Sequence, residues 1–149
     1  MVFRTFTETV IRFCITLFDM LDEYVRRNPI IKFVLENSLL SYAQADTILI
    51  DRKVKKSIRA KALLRDNKPV KKGSFVRSLK QCEENITKAC YTFILLSCLD
   101  IIDEKTISGL VKIGKMLKDL PEELSIEQVE QLKVILRDAI KKVLRVAKE

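Results

Sequence analysis

The residues of this chain that could do chemistry are concentrated in one stretch of positive charge, residues 52–80. This basic segment holds twelve lysines and arginines against a single acid, Asp66, which gives it a formal charge of +11. Because the whole chain carries +8, the remaining residues sum to −3. Cations confined in this way produce a one-sided electrostatic field that favours a negatively charged partner.

The chemistry open to such a segment is the binding of phosphate. Lysine and arginine neutralise phosphates and release condensed counterions, so the affinity is largely independent of sequence and falls with salt. Like charges four residues apart on a helix repel, as Arg52 and Lys56 would, so an uncompensated run indicates a polyanionic partner. The predicted nucleic-acid-binding residues are Arg52, Lys53, Lys55, Lys56, Arg59, Lys61, Arg65, Lys68, Lys71, Lys72, Ser74, Arg77 and Lys80.

One junction inside the basic segment has the features of an anchor. Residues 66–73 are polar and include a proline and a glycine, which predicts a loop, and Ser74 is expected to cap the following long helix. The first backbone N–H groups of a helix lack intrahelical partners and favour an anion. With Lys71, Lys72 and Arg77 around it, this helix start is the predicted place for a phosphate.

These features predict a non-enzymatic protein that binds the phosphate backbone of nucleic acid, DNA rather than RNA, in packaging or transcription control. Only Tyr42 and Phe75 flank the cations, so a stacking platform for single strands is not indicated. The alternative is a helical protein-interaction module, such as a subunit or inhibitor of a larger machine, with its basic face on an acidic protein surface. Contact with anionic lipid is disfavoured because the segment lacks a broad apolar face with anchoring aromatics.

Catalysis and cofactor binding have little support in the residue types. The chain has no histidine, no glycine-rich phosphate loop and no nucleophile elbow. We therefore expect no enzymatic activity, no cofactor and no small-molecule substrate. No pair among Cys14, Cys82, Cys90 and Cys98 has the close spacing of a metal or redox site. We expect all four to be buried free thiols. The composition resembles that of thermophilic proteins, and in such a source a disulfide bond from Cys14 to one of the other cysteines is the alternative.

The elements that must position the cations are predicted to be helices. A chain of 149 residues, with 48% hydrophobic residues, can bury the core of one domain. We predict an all-α, single-domain bundle of five to six helices over residues 1–149. The first helix is predicted to begin at Thr5, and Asn28 and Pro29 are expected to end it and start the next.

Two regions of the middle of the chain are less regular. A break is predicted near residues 37–38, and residues 47–50 are assigned to a helix although their β-branched side chains also suit a short strand. After Asp51 the apolar stripe narrows, which predicts a thinly docked cationic helix over residues 52–65. Near the end of the chain, Asp103 is a predicted cap, and Ser125 with Gln128 has the spacing of a capping box.

The longest helix is predicted over about residues 75–99. Its apolar residues alternate in steps of four and three, the heptad spacing of a seam that another helix covers: Phe75, Leu79, Cys82, Ile86, Ala89, Phe93 and Leu96. Packing within the bundle is the first interpretation, and a homodimer seam is the alternative. Residues 93–99 are apolar nearly all round, which predicts that they lie at the core centre between the first and last helices.

The apolar stretches are short. Residues 89–99 form the longest uncharged apolar run, and eleven residues are too few to cross a bilayer. Charged residues interrupt the apolar N-terminal stretch, which disfavours a signal peptide. We therefore expect a protein that is not secreted and resides in the cytoplasm or nucleoid of a cell, or inside a virus particle.

Overall fold

The computed structural model describes residues 20–65 and 69–146. Within these ranges it contains seven helices and no strand, which confirms the all-α prediction with more helices than the five to six expected. The helices are α1 (Met20–Arg27), α2 (Pro29–Glu36), α3 (Tyr42–Lys53), α4 (Ile58–Leu63), α5 (Lys72–Cys98), α6 (Glu104–Lys118) and α7 (Ile126–Val146). The predicted helix start at Thr5, and Cys14, lie outside the described residues.

The chain divides into two compact units. Of the described residues, the first unit takes 20–24, 40–65 and 69–84, and the second unit takes 25–39 and 85–146. The long helix α5 contributes its first half to the first unit and its second half to the second. The single domain over residues 1–149 stays a prediction.

In the first unit, α3 begins with a capping box that the sequence contains but that we did not predict. The Ser41 hydroxyl accepts from the Gln44 N–H at 3.2 Å, and the Ser41 N–H donates to the Gln44 side chain at 3.1 Å. The preceding helix α2 ends at Glu36, which confirms the break near residues 37–38. Residues 47–50 are helical, as predicted over the short strand.

The prediction of a single cationic helix over residues 52–65 is wrong. Helix α3 ends at Lys53, Val54 takes extended backbone, and the Ser57 hydroxyl caps α4 by accepting from the Ala60 N–H at 3.3 Å. The break buries the Val54 side chain in the core. It also removes the like-charge pairs at four-residue spacing that a continuous helix would impose.

The core of the first unit is small and closed. Phe75 of α5 is fully buried among residues from α3 and α4, with Val70 and Leu79 packed against the cluster. Its members are Ile50, Val54, Ala62, Leu64 and Phe75. Burial of one such large apolar side chain stabilises a fold by about 1.5–3 kcal/mol.

The prediction that Ser74 caps the long helix is also wrong. Helix α5 begins at Lys72, and the Lys71 carbonyl accepts from the Phe75 N–H at 3.1 Å, so Ser74 is the third helical residue. The Val70 N–H donates to the Ala62 carbonyl at 3.1 Å, which fixes the loop up to that point. The residues after Val70 join the helix because each residue added to a helix gains a backbone hydrogen bond. A helix that began at a Ser74 cap would gain only the single hydrogen bond of the serine side chain.

In the second unit, both predicted caps are confirmed. Asp103 accepts from the Thr106 N–H at 2.8 Å to start α6, and the Ser125–Gln128 capping box starts α7 with hydrogen bonds of 2.9 and 3.2 Å. Gly109 lies where α6 approaches α7, since a Cβ there would be 3.2 Å from Val143. The two helices line an open apolar pocket of about 200 Å³.

Helix α2 packs against α7 through an aromatic ring that lies near two cations of α7. The Lys133 ammonium and the Arg137 guanidinium lie 5.6 and 4.9 Å from the centre of the Phe33 ring, within the range of cation–π attraction. Asn28 stands at the cap position of α2 as predicted, but its side chain does not cap the helix. Its amide donates instead to the Leu117 carbonyl at 2.6 Å, which ties α2 to α6.

Residues 93–99 lie at the surface except Leu96, which is half-buried, so their prediction as the core centre is wrong. Phe93 is 41% exposed and Ile94 is 58% exposed, whereas the buried apolar residues of the second unit are Ile30, Ile102, Val129 and Leu136. The heptad seam is likewise covered only in part, because Phe75 and Cys82 are buried but Ile86 and Phe93 are not. Periodicity predicted an apolar helix correctly, but it does not show which neighbour covers it. None of the described helices is long and apolar enough to cross a membrane.

Candidate nucleic-acid interface

The predicted binding residues lie on three helices of the first unit and on the connections between them. The last turn of α3 carries Arg52 and Lys53, the following connection carries Lys55 and Lys56, α4 carries Arg59 and Lys61, and Arg65 follows α4. Lys71 precedes α5, which carries Lys72, Ser74, Arg77 and Lys80. Lys68 lies outside the described residues. The structure thus places these residues around one shared core.

Most of these side chains are exposed to solvent. Nine cations and Ser74 are exposed: Arg52, Lys53, Lys55, Lys56, Arg59, Lys71, Lys72, Arg77 and Lys80. Four of the apolar residues between them are buried, namely Val54, Ala62, Leu64 and Phe75. Because the apolar residues fix the backbone from inside, the cations are free to meet a ligand outside.

Two cations of the segment are turned inward. The Lys61 ammonium lies 2.8 Å from the Asp51 carboxylate and 3.1 Å from the Asp51 carbonyl, which ties α4 to α3. Arg65 is half-buried, and its Nε has no hydrogen-bond partner. Within the described part of the segment, Lys61 is the cation with an ion-pair partner. We therefore expect Lys61 and Arg65 to contribute less to ligand binding than the exposed cations.

The first turns of α5 present their cations away from the core. Phe75 and Cys82 are buried on one face of the helix. At about 100° per residue, Arg77 and Lys80 fall on the opposite face. The Thr47 hydroxyl, which also donates to the Ala43 carbonyl at 2.7 Å, lies 3.4 Å from the Ser78 hydroxyl and links α3 to α5 beneath this surface.

The start of α5 differs from the predicted anchor in position but keeps its chemistry. The N–H groups without intrahelical partners are now those of residues 72–74, all of which are exposed. The first turn of α5 contains no acidic residue, and Lys71 and Lys72 stand beside it. Cations at this end are opposed by the helix dipole, so an anion bound here would relieve that repulsion.

The two aromatic residues that flank the basic segment are occupied in the fold. Phe75 is fully buried, and Tyr42 is half-buried with its hydroxyl donating to the Asp22 carboxylate. Phe75 therefore offers no face on which a base could stack. The exposed cations and the backbone N–H groups at the start of α5 are groups that bind phosphate.

The cysteines and acids provide no metal site in the described ranges, because no three His, Cys, Asp or Glu side chains converge there. Cys82 is buried as predicted, and burial, followed by the charge of Glu83, raises the pKa of its thiol. Cys90 and Cys98 are exposed, so the prediction of buried thiols is wrong for them. They share the exposed second half of α5, which the sequence pattern had placed in the core.

Comparison of the chain with protein-family models, curated proteins and solved structures finds no match. The function is therefore inferred from the residues and geometry described above. The feature that carries most weight is the set of exposed cations around the closed core of the first unit.

Proposed function

We propose that this chain is a non-enzymatic protein that binds the phosphate backbone of nucleic acid, duplex DNA rather than RNA, through the basic segment. The observation that carries the proposal is nine exposed lysines and arginines around one core, six on three helices and three on the connections between them. The biological setting that fits this chemistry is packaging or transcription control, inside a cell or a virus particle.

Binding would proceed by charge neutralisation at phosphates. Each lysine or arginine that meets a phosphate releases counterions and adds about 0.9 to the dependence of log affinity on log salt. The cations of α3 and α4 lie close in sequence to those of α5 across the 64–71 connection, so they can track several consecutive phosphates. The closed core limits the rearrangement that binding requires.

The start of α5 would serve as the anchor of this surface. One phosphate oxygen can accept from the exposed N–H groups of residues 72–74, while Lys71 and Lys72 supply charge beside it. Arg77 lies one turn further along the same helix and can hold a neighbouring phosphate. Contacts of this kind fix position on a duplex without reading its sequence.

A charge-reversal experiment tests the proposal. Lys71→Glu, Lys72→Glu and Arg77→Glu are combined in one variant, and affinity for duplex DNA, single-stranded DNA and RNA is measured by fluorescence anisotropy. The expected result is a loss of duplex affinity of about 100-fold or more at moderate salt, because three phosphate contacts are removed and replaced by repulsion. The fold should survive, since all three side chains are exposed and acids suit a helix start.

The matched control reverses three exposed cations of the second unit, Lys112→Glu, Lys141→Glu and Lys142→Glu. It changes the net charge by the same amount, so it should lose far less affinity if the basic segment is the binding surface. Equal losses in both variants would show a general charge effect and would contradict the proposal. Binding to an acidic protein with no retention on any nucleic acid would support the protein-interaction alternative instead.

A further inference from the structure

The part of α5 that belongs to the first unit carries a polar face that the proposed phosphate contacts do not use. Lys80, Gln81 and Glu84 are all exposed. At about 100° per residue they fall within one arc of about 100° on the helix surface. The buried and half-buried residues of the same turns fill an arc of similar width, centred about 160° away: Phe75, Ser78, Leu79 and Cys82. One side of α5 is therefore packed, and the side with Lys80, Gln81 and Glu84 is open.

These three side chains make no contact that holds the fold together. Among the described residues, none of the three has a hydrogen-bond or ion-pair partner for its side chain. This is so although Lys80 and Glu84 stand four residues apart, the spacing at which opposite charges on a helix can pair. They are therefore available to a ligand without the loss of any internal interaction.

The residue types on this face differ from those that bind phosphate. Glu84 would repel a phosphate, and Gln81 brings no charge to attract one. Base edges in the major groove of duplex DNA offer both hydrogen-bond donors and acceptors. Lysine donates to guanine, glutamine pairs with two atoms of adenine, and glutamate accepts from the amino group of cytosine. A lysine, a glutamine and a glutamate on one side of a helix match this mixed pattern.

We propose that the Lys80–Gln81–Glu84 face of α5 enters the major groove of duplex DNA and reads two or three adjacent base pairs. The proposal rests on the proposed function, because the phosphate contacts at the start of α5 bring this helix to the duplex. An α-helix with its side chains is about 10–12 Å across and fits a major groove about 12 Å wide. The rise from residue 80 to residue 84 is about 6 Å, close to two base-pair steps of about 3.4 Å each.

The phosphate contacts and the base-reading face form one continuous surface of α5. Arg77, a proposed phosphate contact, lies about 60° around the helix from Lys80 and about 20° from Glu84. From Lys72 to Glu84 the helix rises about 18 Å. Phosphate contacts fix the register and orientation of a protein on the duplex, and base contacts add the dependence on sequence. The anchor at the start of α5 would therefore set which base pairs the face meets.

The first unit holds this part of α5 rigidly. Phe75 and Cys82, which precede and follow Lys80 in the chain, are fully buried. The Ser78 hydroxyl lies 3.4 Å from the Thr47 hydroxyl of α3. Side chains that recognise a ligand precisely must project from an element whose own position is fixed by packing. The face on α5 meets this requirement.

Gly73 gives an independent indication that another molecule comes close to this side of α5. It is exposed, and it lies about 40° around the helix from Arg77. Its φ is not positive, and nothing lies within 4 Å of the Cβ that another residue would place there. Neither the backbone nor the packing therefore requires a glycine, which costs helix stability relative to alanine. A residue without a side chain lets a ligand approach the backbone closely.

Selection of binding sites gives the first test. The intact chain is mixed with a pool of DNA duplexes of random sequence, and the bound duplexes are recovered and sequenced. A consensus should emerge, and the selected duplex should bind about 100-fold or more tightly than a scrambled duplex of the same composition at the same salt. An RNA duplex of the selected sequence should bind no better than a scrambled one, because side chains cannot read the deep and narrow major groove of RNA.

Glu84→Gln separates base reading from the effect of charge. Removal of an acid beside DNA should strengthen binding to the scrambled duplex, because repulsion of phosphates is lost. Base reading predicts that the preference for the selected over the scrambled duplex falls about 10-fold in the same variant. A role in charge alone would leave this preference unchanged.

Gln81→Ala tests the neutral member of the face. The preference for the selected duplex should fall about 10-fold, while affinity for the scrambled duplex and its salt dependence stay the same. Gln131→Ala is the matched control, because Gln131 is an exposed glutamine on α7 in the second unit. Its replacement should change neither affinity.

Two outcomes would overturn base reading by α5 and leave phosphate binding in place. One is salt-dependent binding of duplex DNA with no consensus in the selected pool. The other is a consensus whose preference is unchanged in both Glu84→Gln and Gln81→Ala. Failure of the intact chain to bind any duplex would instead overturn the proposed function, and base reading with it.

Discussion

The two units of the chain are built from the same kind of helix but differ in the balance of charged and apolar residues that they expose. In the first unit, Ile50 and Phe75 are at most 1% exposed, and the outside is lined with cations. In the second unit, Tyr91 and Met116 are 69% and 70% exposed, and apolar side chains reach the solvent. Both units start helices with the same capping box, at Ser41 and at Ser125. The same local capping chemistry therefore occurs in both units and does not determine which side chains each unit exposes.

The difference has a physical consequence in salt. Attraction between cations and phosphates is screened and weakens as salt rises. Association of apolar faces does not depend on charge and is strengthened by salts such as sulfate. If the first unit binds polyanions, its affinity for them should fall as salt rises, whereas association through the apolar side chains of the second unit should not weaken.

The largest expected effect comes from truncating the same residue type in each unit. Phe75→Ala removes the centre of the closed core and should lower the free energy of unfolding by about 3–5 kcal/mol. Phe93→Ala, on the same helix α5 but 41% exposed, should cost about 1 kcal/mol. Urea unfolding at low protein concentration, followed by circular dichroism, measures both. Equal losses would mean that the two halves of α5 are covered alike.

A smaller effect separates structural from surface cations on α4. Lys61→Ala leaves the Asp51 carboxylate, which is 22% exposed, without its partner, and should lower stability by about 1–3 kcal/mol. Its affinity for DNA should change little. Arg59→Ala is the matched control, because Arg59 is exposed and should lose DNA affinity a few-fold while stability stays the same. The division between inward and outward cations would be refuted if Lys61→Ala lost DNA affinity but no stability while Arg59→Ala lost stability but no DNA affinity.

A pair of glycines on α6 tests how closely the second unit is packed. Gly114→Ala should raise stability by about 0.5–1 kcal/mol, since nothing lies within 4 Å of the new Cβ and alanine is the better helix former. Gly109→Ala should gain less or lose stability, because its Cβ would lie 3.2 Å from Val143. Thermal unfolding of the two variants side by side checks the order. A larger gain at Gly109 would place α6 further from α7 than the structure does.

The smallest expected effect is the acid dependence of the α6 cap. The hydrogen bond from the Thr106 N–H, then that from its hydroxyl, lowers the pKa of Asp103. A lowered pKa in the folded state contributes stability above the unfolded value of about 3.9, and this contribution is lost as pH falls through the folded value. Asp103→Asn retains a capping oxygen but does not titrate. The difference in melting temperature between the two proteins should therefore be constant near neutral pH and shrink only in acid, and a difference that already changes above pH ~6 would contradict this cause.

The sequence predicted the helices of this fold better than it predicted which side chains they bury. Short-range chemistry was sufficient for the caps at Asp103 and Ser125, because the interacting atoms are three residues apart. The Ser41 cap had the same spacing and could have been predicted by the same rule. The break after Lys53 depends on burying Val54 in a core formed by distant residues, which no local pattern contains.

The sequence predicted which residues make up the candidate site, but not which of them turn inward. The charge excess of residues 52–80 is visible in the sequence, and nine of its cations are exposed. The inward turn of Lys61 depends on Asp51, which lies ten residues earlier and becomes a neighbour only because α3 ends and α4 begins between them. The exposure of residues 93–99 was missed because a helix that is apolar all round is expected to lie in a core.

The most direct test of polyanion binding is the salt dependence of DNA affinity. The dissociation constant of the intact chain for a short DNA duplex is measured between about 50 and 200 mM salt, and log affinity is plotted against log salt. A negative slope of magnitude about 3 or more is expected, reduced by roughly 2.7 when Lys71, Lys72 and Arg77 are reversed. A slope near zero, or the same slope in the reversal variant, would contradict the assignment of the basic segment as the binding surface.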